Sequence, residues 1–358
     1  MYIIAEAGIN HNGSLKLALE MVKVAADSGA DAIKFQTFKA EQVISRFAPK
    51  AEYQLRTTGN SESQLEMVKR LELDEKEHME LAMECQSRGI EFLSTPFDLE
   101  SVDLLISLKV SRIKISSGDI TNAPLLLKAA QTQKEIILST GMSTIDEVKT
   151  ALGVLACGYF GLDHQPRVSS LSHFEHSYQS DEGQAYLKKN VILLHCTTEY
   201  PAPYEDVNLR AMDTLRSVFG VKVGYSDHTR GIAVPIAAAA RGAAIIEKHF
   251  TLDKNLPGPD HKASLEPDEL KAMITSIRQV QQSLGAVEKL PAPSELKNRS
   301  IARRSLITLE RVKKGEIFTE KNLGAKRPGT GISAIYYFDW LGCQAQRDYE
   351  PDEMLEPC

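Results

Sequence analysis

At 358 residues the chain is too long for one ordinary small domain, and it suits a large α/β barrel followed by a modest second unit. With 42% hydrophobic and 25% charged residues it has a globular composition, and no apolar run is long enough to cross a bilayer, so a membrane partner is not expected. A net charge of −6 argues against a nucleic-acid surface but leaves room for a locally basic pocket.

Short β-branched runs alternate with amphipathic stretches along the chain, the pattern of strands and helices around a parallel sheet. Tyr2–Ala5 reads as the first strand. It starts without the basic and apolar regions of a secretory signal, so a cytoplasmic location is expected. A helix over Leu15–Ala26 follows, with Ser14 as N-cap and Gly29 just past its end. The next predicted strands are Ala32–Phe35, Glu91–Leu93, Arg112–Ile115 and Glu135–Leu138. Ser143-Thr144-Ile145-Asp146 then opens a helix in capping-box style. The stretch Gly158–Asn190 is polar, rich in Ser and His and without clear period, and reads as a surface insertion whose His164, His173 and His176 are solvated. Strands at Val191–Leu194, Lys222–Gly224 and Ala244–Ile246 complete the set, and Pro267 and Gly285 bracket a last helix. The cysteines at 85, 157, 196, 343 and 358 have no CxxC spacing and are expected to be reduced thiols.

Eight β/α units over about 285 residues match a (β/α)₈ TIM barrel. An open doubly wound sheet is the alternative, but Ala7-Gly8-Ile9-Asn10-His11-Asn12-Gly13 has the wrong glycine spacing for a dinucleotide fingerprint. Leu290-Pro291-Ala292-Pro293-Ser294 marks a linker, placed at 286–300. The barrel is then 1–285, and 301–358 is a small unit of short strands and turns that leans on a partner surface.

Every predicted strand ends in polar or ionisable residues, and barrel geometry makes those ends converge on one mouth. Lys34 and Lys114, with Thr95, Ser117, Ser139 and Ser226 beside them, suit a phosphate or carboxylate, because charge-assisted donors hold oxyanions most strongly. The same lysines could instead form a Schiff base, as in aldolases. His228 and His249 end adjacent strands, where their imidazoles can share one divalent ion, with Asp227 and Glu247 as nearby carboxylates. Two nitrogen ligands amid much oxygen favour an octahedral ion, Mn²⁺ by preference or Mg²⁺.

Nine stretches carry a resemblance to a known family: Ile4–Gly13, Lys34–Phe38, Ser94–Asp98, Ser139–Met142, His195–Pro201, Gly224–Thr229, Glu247–Phe250, Pro257–His261 and Lys326–Gly329. In these, across nearly the whole chain, it resembles the sialic acid synthases, including their legionaminate and pseudaminate relatives. The resemblance implies a TIM barrel followed by an antifreeze-like (SAF) domain, in a domain-swapped homodimer where the small domain covers the partner's active site. It implies condensation of phosphoenolpyruvate with the open-chain aldehyde of an N-acyl amino sugar: N-acetylmannosamine, giving N-acetylneuraminate and phosphate. Tyr225–Thr229 and Lys254–Met273 also look like legionaminate synthases, which take 2,4-diacetamido-2,4,6-trideoxymannose. By the same resemblance His228 and His249 are metal ligands, and Lys34, Thr95, Lys114, Ser117, Ser139 and Ser226 form the phosphoenolpyruvate site. Asp119, Thr198, Tyr200 and Asp260 look like sugar contacts, Arg327 is similar to the arginine that reaches the neighbour's sugar pocket, and Glu6 is the candidate for moving a proton. Departures from the family pattern are Asp119 where Glu is frequent, Ala334 for a frequent proline, Cys343 for a common lysine, and the stretch 158–190.

Overall fold

Strand geometry sends alternate side chains to opposite faces, so each short apolar run must supply two different environments. In the computed structural model, which describes residues 1–50, 55, 62–160 and 170–356, the predicted runs form β1 (Tyr2–Gly8), β2 (Ala32–Thr37), β3 (Glu91–Pro96), β4 (Arg112–Ile115), β5 (Glu135–Ser139), β6 (Val191–His195), β7 (Lys222–Asp227) and β8 (Ile245–His249). Among the described residues these make one sheet of order β3-β2-β1-β8-β7-β6-β5-β4. Its pairings are parallel throughout. The ends β3 and β4 lie side by side without a ladder between them, giving a (β/α)₈ TIM barrel that is closed but for one seam.

Side chains bridge that seam at its lower end. Arg112 of β4 places Nε 3.0 Å from Glu91 Oε1 of β3 and Nη1 3.1 Å from Glu135 of β5, with its guanidinium 4.5 Å above the Tyr2 ring. Inside the barrel Ile4, Ala32, Leu93, Ile137, Ile192, Leu194 and Ile245 form a buried apolar layer. Residues one step away, such as Ile3, Ile33, Ile136, Leu193 and Ile246, pack outward against the helices. Each such Ile or Leu contributes about 1.5–3 kcal/mol by leaving water.

The helical signals hold, with the capping box expected at Ser143 and Asp146 formed one residue later. Leu15–Asp27 starts at Ser14, whose hydroxyl accepts from Leu17 N, and Gly29 follows it at φ 85°. Ile145–Tyr159 starts at Thr144 with Glu147 completing the capping box, and Pro267 opens Pro267–Ser283. The stretch 158–190 departs from the aperiodic insertion expected: it contains the helices Leu171–Gln179 and Asp181–Asn190, N-capped by Ser170 and Ser180. Both pack on Ile145–Tyr159, and they meet it closely because a Cβ on Gly153 would stand 2.6 Å from the Phe174 carbonyl. Few buried residues (Phe174, Ser177, Gly183, Leu187) anchor them, which is why no strong apolar period announces them. His176 is exposed and His173 half-buried, while His164 lies outside the described residues.

The chain divides into two compact units, Met1–Gly285 and Ala286–Cys358. In the second, the stretch read as a linker is helical from Pro293 to Ala302. Antiparallel β9 (Ser305–Thr308) and β10 (Leu323–Lys326) follow, over a core of Leu306, Val312, Phe318, Leu323, Ala345, Tyr349 and Leu355. Among the described residues Cys85, Cys157, Cys196 and Cys343 form no disulfide, and no helix is long and apolar enough to cross a membrane.

Candidate active site

One step above the apolar layer, the inward positions of the strands turn polar. Glu6 on β1 is level with Lys34 on β2 and with His249 on β8, because β1 pairs with both neighbours. Ser226 on β7 is level with Glu247 on β8 in the same way. A cavity of about 320 Å³ opens there. Glu6, Lys34, Thr95, Lys114, Ser117 and Ser139 line it from the first five strands and their ends. Thr198, Tyr200, Ser226, His228, His249 and Asp260 line it from the rest.

Two expected residues, Asp119 and Asp227, do not line it. Asp119 is not part of the wall: its carboxylate accepts from Ser116 Oγ at 2.6 Å and Asn122 Nδ2 at 3.2 Å in the short turn after β4. Arg327 belongs to the second unit, where its Nε donates to the Ala302 carbonyl at 3.0 Å. Asp227, read as a carboxylate near the histidines, faces away from the cavity. It is paired at 2.6 Å with Lys248, both side chains fully buried, and accepts from the Tyr225 hydroxyl at 3.0 Å.

The floor is a buried set of alternating charges. Lys34 Nζ lies 2.8 Å from Glu6 Oε1 and 3.9 Å from Glu247 Oε2, and donates to Thr95 Oγ1 at 3.2 Å. Lys114 Nζ lies 3.7 Å from Glu247 Oε1 and donates to Ser139 Oγ at 2.7 Å. Ser226 Oγ donates to Glu247 Oε1 at 3.0 Å. Burial works against charge on Lys34, but the Glu247 and Glu6 carboxylates outweigh it and hold the ammonium above the ordinary range. On Lys114 burial wins and lowers the value despite Glu247. Burial also raises the Glu6 carboxyl to about 7, with Lys34 opposing and Glu247 adding to the rise, whereas Lys114 and Lys34 overcome burial to keep Glu247 low. Glu6 therefore titrates near neutral pH beside an ionised Glu247.

Above this floor three rings meet. The His228 and His249 centroids are 5.5 Å apart, and Tyr200 lies 4.3 Å from His228 and 5.7 Å from His249. Burial pushes both imidazoles down, so they are neutral at pH 7 and keep a free lone pair. His228 Nδ1 donates to the Thr197 carbonyl at 2.6 Å, which leaves Nε2 as its acceptor. His249 Nδ1, Glu6 Oε2 and Glu247 Oε2 are buried without a hydrogen-bond partner. The unmet His249 nitrogen and carboxyl oxygens, beside the lone pair of His228 Nε2, would suit a divalent ion. Among the described residues no three His, Cys, Asp or Glu side chains are arranged to hold one ion, so an ion held by the two imidazoles would need further ligands from outside these side chains.

Asp260, in the connection after β8, has its carboxyl raised to about 6 by burial. An acid whose folded value exceeds its unfolded one costs stability as pH rises through the interval between them, here from about 4 to about 6. Asp260→Asn is expected to raise the unfolding midpoint relative to wild type at pH 8 and to leave it unchanged near pH 4. A difference of equal size at both pH values would remove the burial argument.

Sequence reasoning passed over part of the site. Glu247 was legible, since it stands two residues before His249 on one strand and must face the same way. Cys196, whose Sγ lies 3.1 Å from Ser117 Oγ, and the apolar side wall were not.

Fold and site together define a (β/α)₈-barrel enzyme with a blend of ammonium, carboxyl and imidazole groups at its mouth. The family model described as the NeuB family matches residues 21–289. An N,N'-diacetyllegionaminic acid synthase of Campylobacter jejuni is 53% identical over 353 residues, covering 99% of this chain and 98% of its own. One from Legionella pneumophila is 48% identical over 332 residues, covering 93% and 86%. The crystal structure of an N-acetylneuraminic acid (sialic acid) synthetase from Leptospira borgpetersenii in complex with citrate matches with a TM-score of 0.66 at 35% identity, covering 83% of this chain and 89% of that one. The chain belongs to the NeuB family, that of the sialic acid and legionaminic acid synthases.

Proposed function

We propose that the chain condenses phosphoenolpyruvate with open-chain 2,4-diacetamido-2,4,6-trideoxymannose and water to give N,N'-diacetyllegionaminic acid and phosphate. The observation that carries the reading is the convergence of two ammonium groups and two neutral imidazoles on one cavity. The names of the relatives at 53% and 48% identity favour this sugar over N-acetylmannosamine, the other candidate of the sequence reading.

In the proposed reaction carbon 3 of phosphoenolpyruvate bonds to the aldehyde carbon. Water adds at carbon 2, the carbon–oxygen bond to phosphate breaks, and the former aldehyde oxygen ends as a hydroxyl. Lys34 and Lys114, with Thr95, Ser117, Ser139 and Ser226, hold the phosphate and carboxylate oxygens by charge-assisted hydrogen bonds. A divalent ion, Mn²⁺ by preference or Mg²⁺, held by His228 and His249, would supply Lewis-acid polarisation of the aldehyde. Tyr200, Thr198 and Asp260 face the sugar. Glu6, which titrates near neutral pH beside Lys34, moves the proton at the aldehyde oxygen or the attacking water.

Phosphate release from phosphoenolpyruvate, followed with each of the two sugars, tests the reading: the diacetamido sugar is expected to give the higher kcat/KM. Glu6→Gln keeps the shape and removes the titratable proton, and is expected to lower kcat about 100-fold. Turnover within twofold of wild type removes Glu6 from the mechanism. Covalent trapping with pyruvate and borohydride would establish the other reading of these lysines, a Schiff-base pyruvate aldolase, instead.

In the proposed assembly the small unit is an antifreeze-like lid, and Arg327 serves the partner's cavity in a domain-swapped homodimer. Mixing Arg327→Ala with Lys114→Met protomers, assayed at phosphoenolpyruvate far below the raised KM of the latter, is then expected to recover up to about a quarter of wild-type activity, because each mixed dimer regains one intact site. No recovery in mixtures shown to exchange subunits would exclude the swap.

A further inference from the structure

The cavity floor is ionic, but one side of it is not. Phe38, Val43, Ile44, Met67, Val68 and Phe97 line the same space. The floor groups sit on the strands themselves. Val43 and Ile44, by contrast, end the short helix Ala40–Val43, and Met67 and Val68 sit on Gln64–Lys69, both in the connection that follows β2. This wall therefore stands beyond the strand ends, farther out than the lysines and imidazoles. Phe38 and Phe97 meet edge-on at 6.2 Å within it, Met67 is fully buried, and Val43, Ile44 and Val68 are half-buried, with surface left to offer a ligand. Among the described residues Gln64 is polar on this side.

We infer that this wall determines specificity by reading the carbon-6 end of the sugar, selecting a methyl group there over a hydroxymethyl. The inference rests on the proposed reaction, in which the aldehyde end sits at the imidazoles. A six-carbon chain held there by carbon 1 carries carbon 6 outward, to the level of the wall. A hydroxyl placed against Val43, Ile44 and Val68 gives up hydrogen bonds to water and finds none in return. A methyl placed there removes apolar surface from water on both sides. The wall thus favours a 6-deoxy amino sugar, while the ionic floor is indifferent to that end of the molecule.

The test uses N-acetylmannosamine and its 6-deoxy analogue, which differ by one hydroxyl, with wild type, Val68→Thr and Val43→Thr. Valine to threonine exchanges a methyl for a hydroxyl at nearly constant volume, so the wall changes polarity without opening a hole. Wild type is expected to prefer the 6-deoxy sugar at least about tenfold in kcat/KM, and each variant to narrow that ratio about tenfold. The KM for phosphoenolpyruvate stays within about twofold of wild type, since the floor is intact. One ratio shared by all three proteins, or a wild-type preference for the hydroxylated sugar, overturns the inference. The dissociation constants of the two reduced sugars, which cannot react, are measured in parallel. If no sugar releases phosphate, the proposed reaction fails; if the reduced sugars still bind with the expected ratios, the wall's role stands, and if they bind with equal ratios in every protein, it falls.

Discussion

His249→Gln is expected to reduce kcat/KM about 1,000-fold, the size of several kcal/mol of lost charge stabilisation in the transition state. The imidazole it removes is buried, neutral, 5.5 Å from its twin, and has a ring nitrogen with no protein partner. Glutamine keeps the bulk but offers an amide in place of an aromatic nitrogen, a poorer ligand for a borderline ion. Wild type treated with a chelator is expected to lose activity and to regain it with manganese. The variant is expected to bind Mn²⁺ at least about tenfold more weakly, read from the resonance of the free ion without any turnover. A variant that turns over within tenfold of wild type, or binds the ion equally well, sinks the assignment of His249.

Lys114→Met is expected to raise the KM for phosphoenolpyruvate about 100-fold and to move that of the sugar by less than about threefold. Its ammonium donates to Ser139 and neighbours Glu247, so its loss removes an anchor for an oxyanion and leaves the carboxylate facing only Lys34 at 3.9 Å. Lys34→Met differs in kind, because Lys34 also pairs with Glu6 at 2.8 Å. Removing it strips both carboxyls of their shared partner, and two like charges close together cannot both stay ionised. Glu247 is held low chiefly by Lys114 against its burial, so that ion pair stabilises the fold above the unfolded carboxyl value and is lost as pH falls. The Lys114→Met protein should accordingly show a flatter stability profile on acidification, which circular dichroism at several pH values reads. Unchanged KM values for both substrates would contradict the anchoring role.

The floor of the site was legible because a strand ending in a titratable residue is conspicuous in sequence, and the barrel brings such ends together whatever their separation along the chain. Lys34 and Lys114 are 80 positions apart in number yet share Glu247. Helix starts at Ser14 and Thr144 were legible for a local reason: a cap is written within four residues. What the sequence concealed depends on direction and tertiary fit. Asp227 sits between Ser226 and His228 but alternation turns it outward onto Lys248, and Asp119 is claimed by Ser116 and Asn122. The wall residues Val43, Ile44, Met67 and Val68 look like any helix core until their neighbours are known. Leu171–Gln179 and Asp181–Asn190 escaped because so little of their surface is apolar, and their place depends on the face of Ile145–Tyr159 that receives them.

The packed layer of Ile4, Leu93, Ile137, Ile192, Leu194 and Ile245 has a kinetic corollary. It stoppers the barrel from below, so traffic to the lysines uses a single doorway. On the proposed reaction the three-carbon anion goes to the bottom of this blind well and the amino sugar comes to rest on top of it. Entry is then a queue: the anion arrives first, the sugar second, and a sugar that arrives early bars the way, appearing at high concentration as inhibition competitive with the anion.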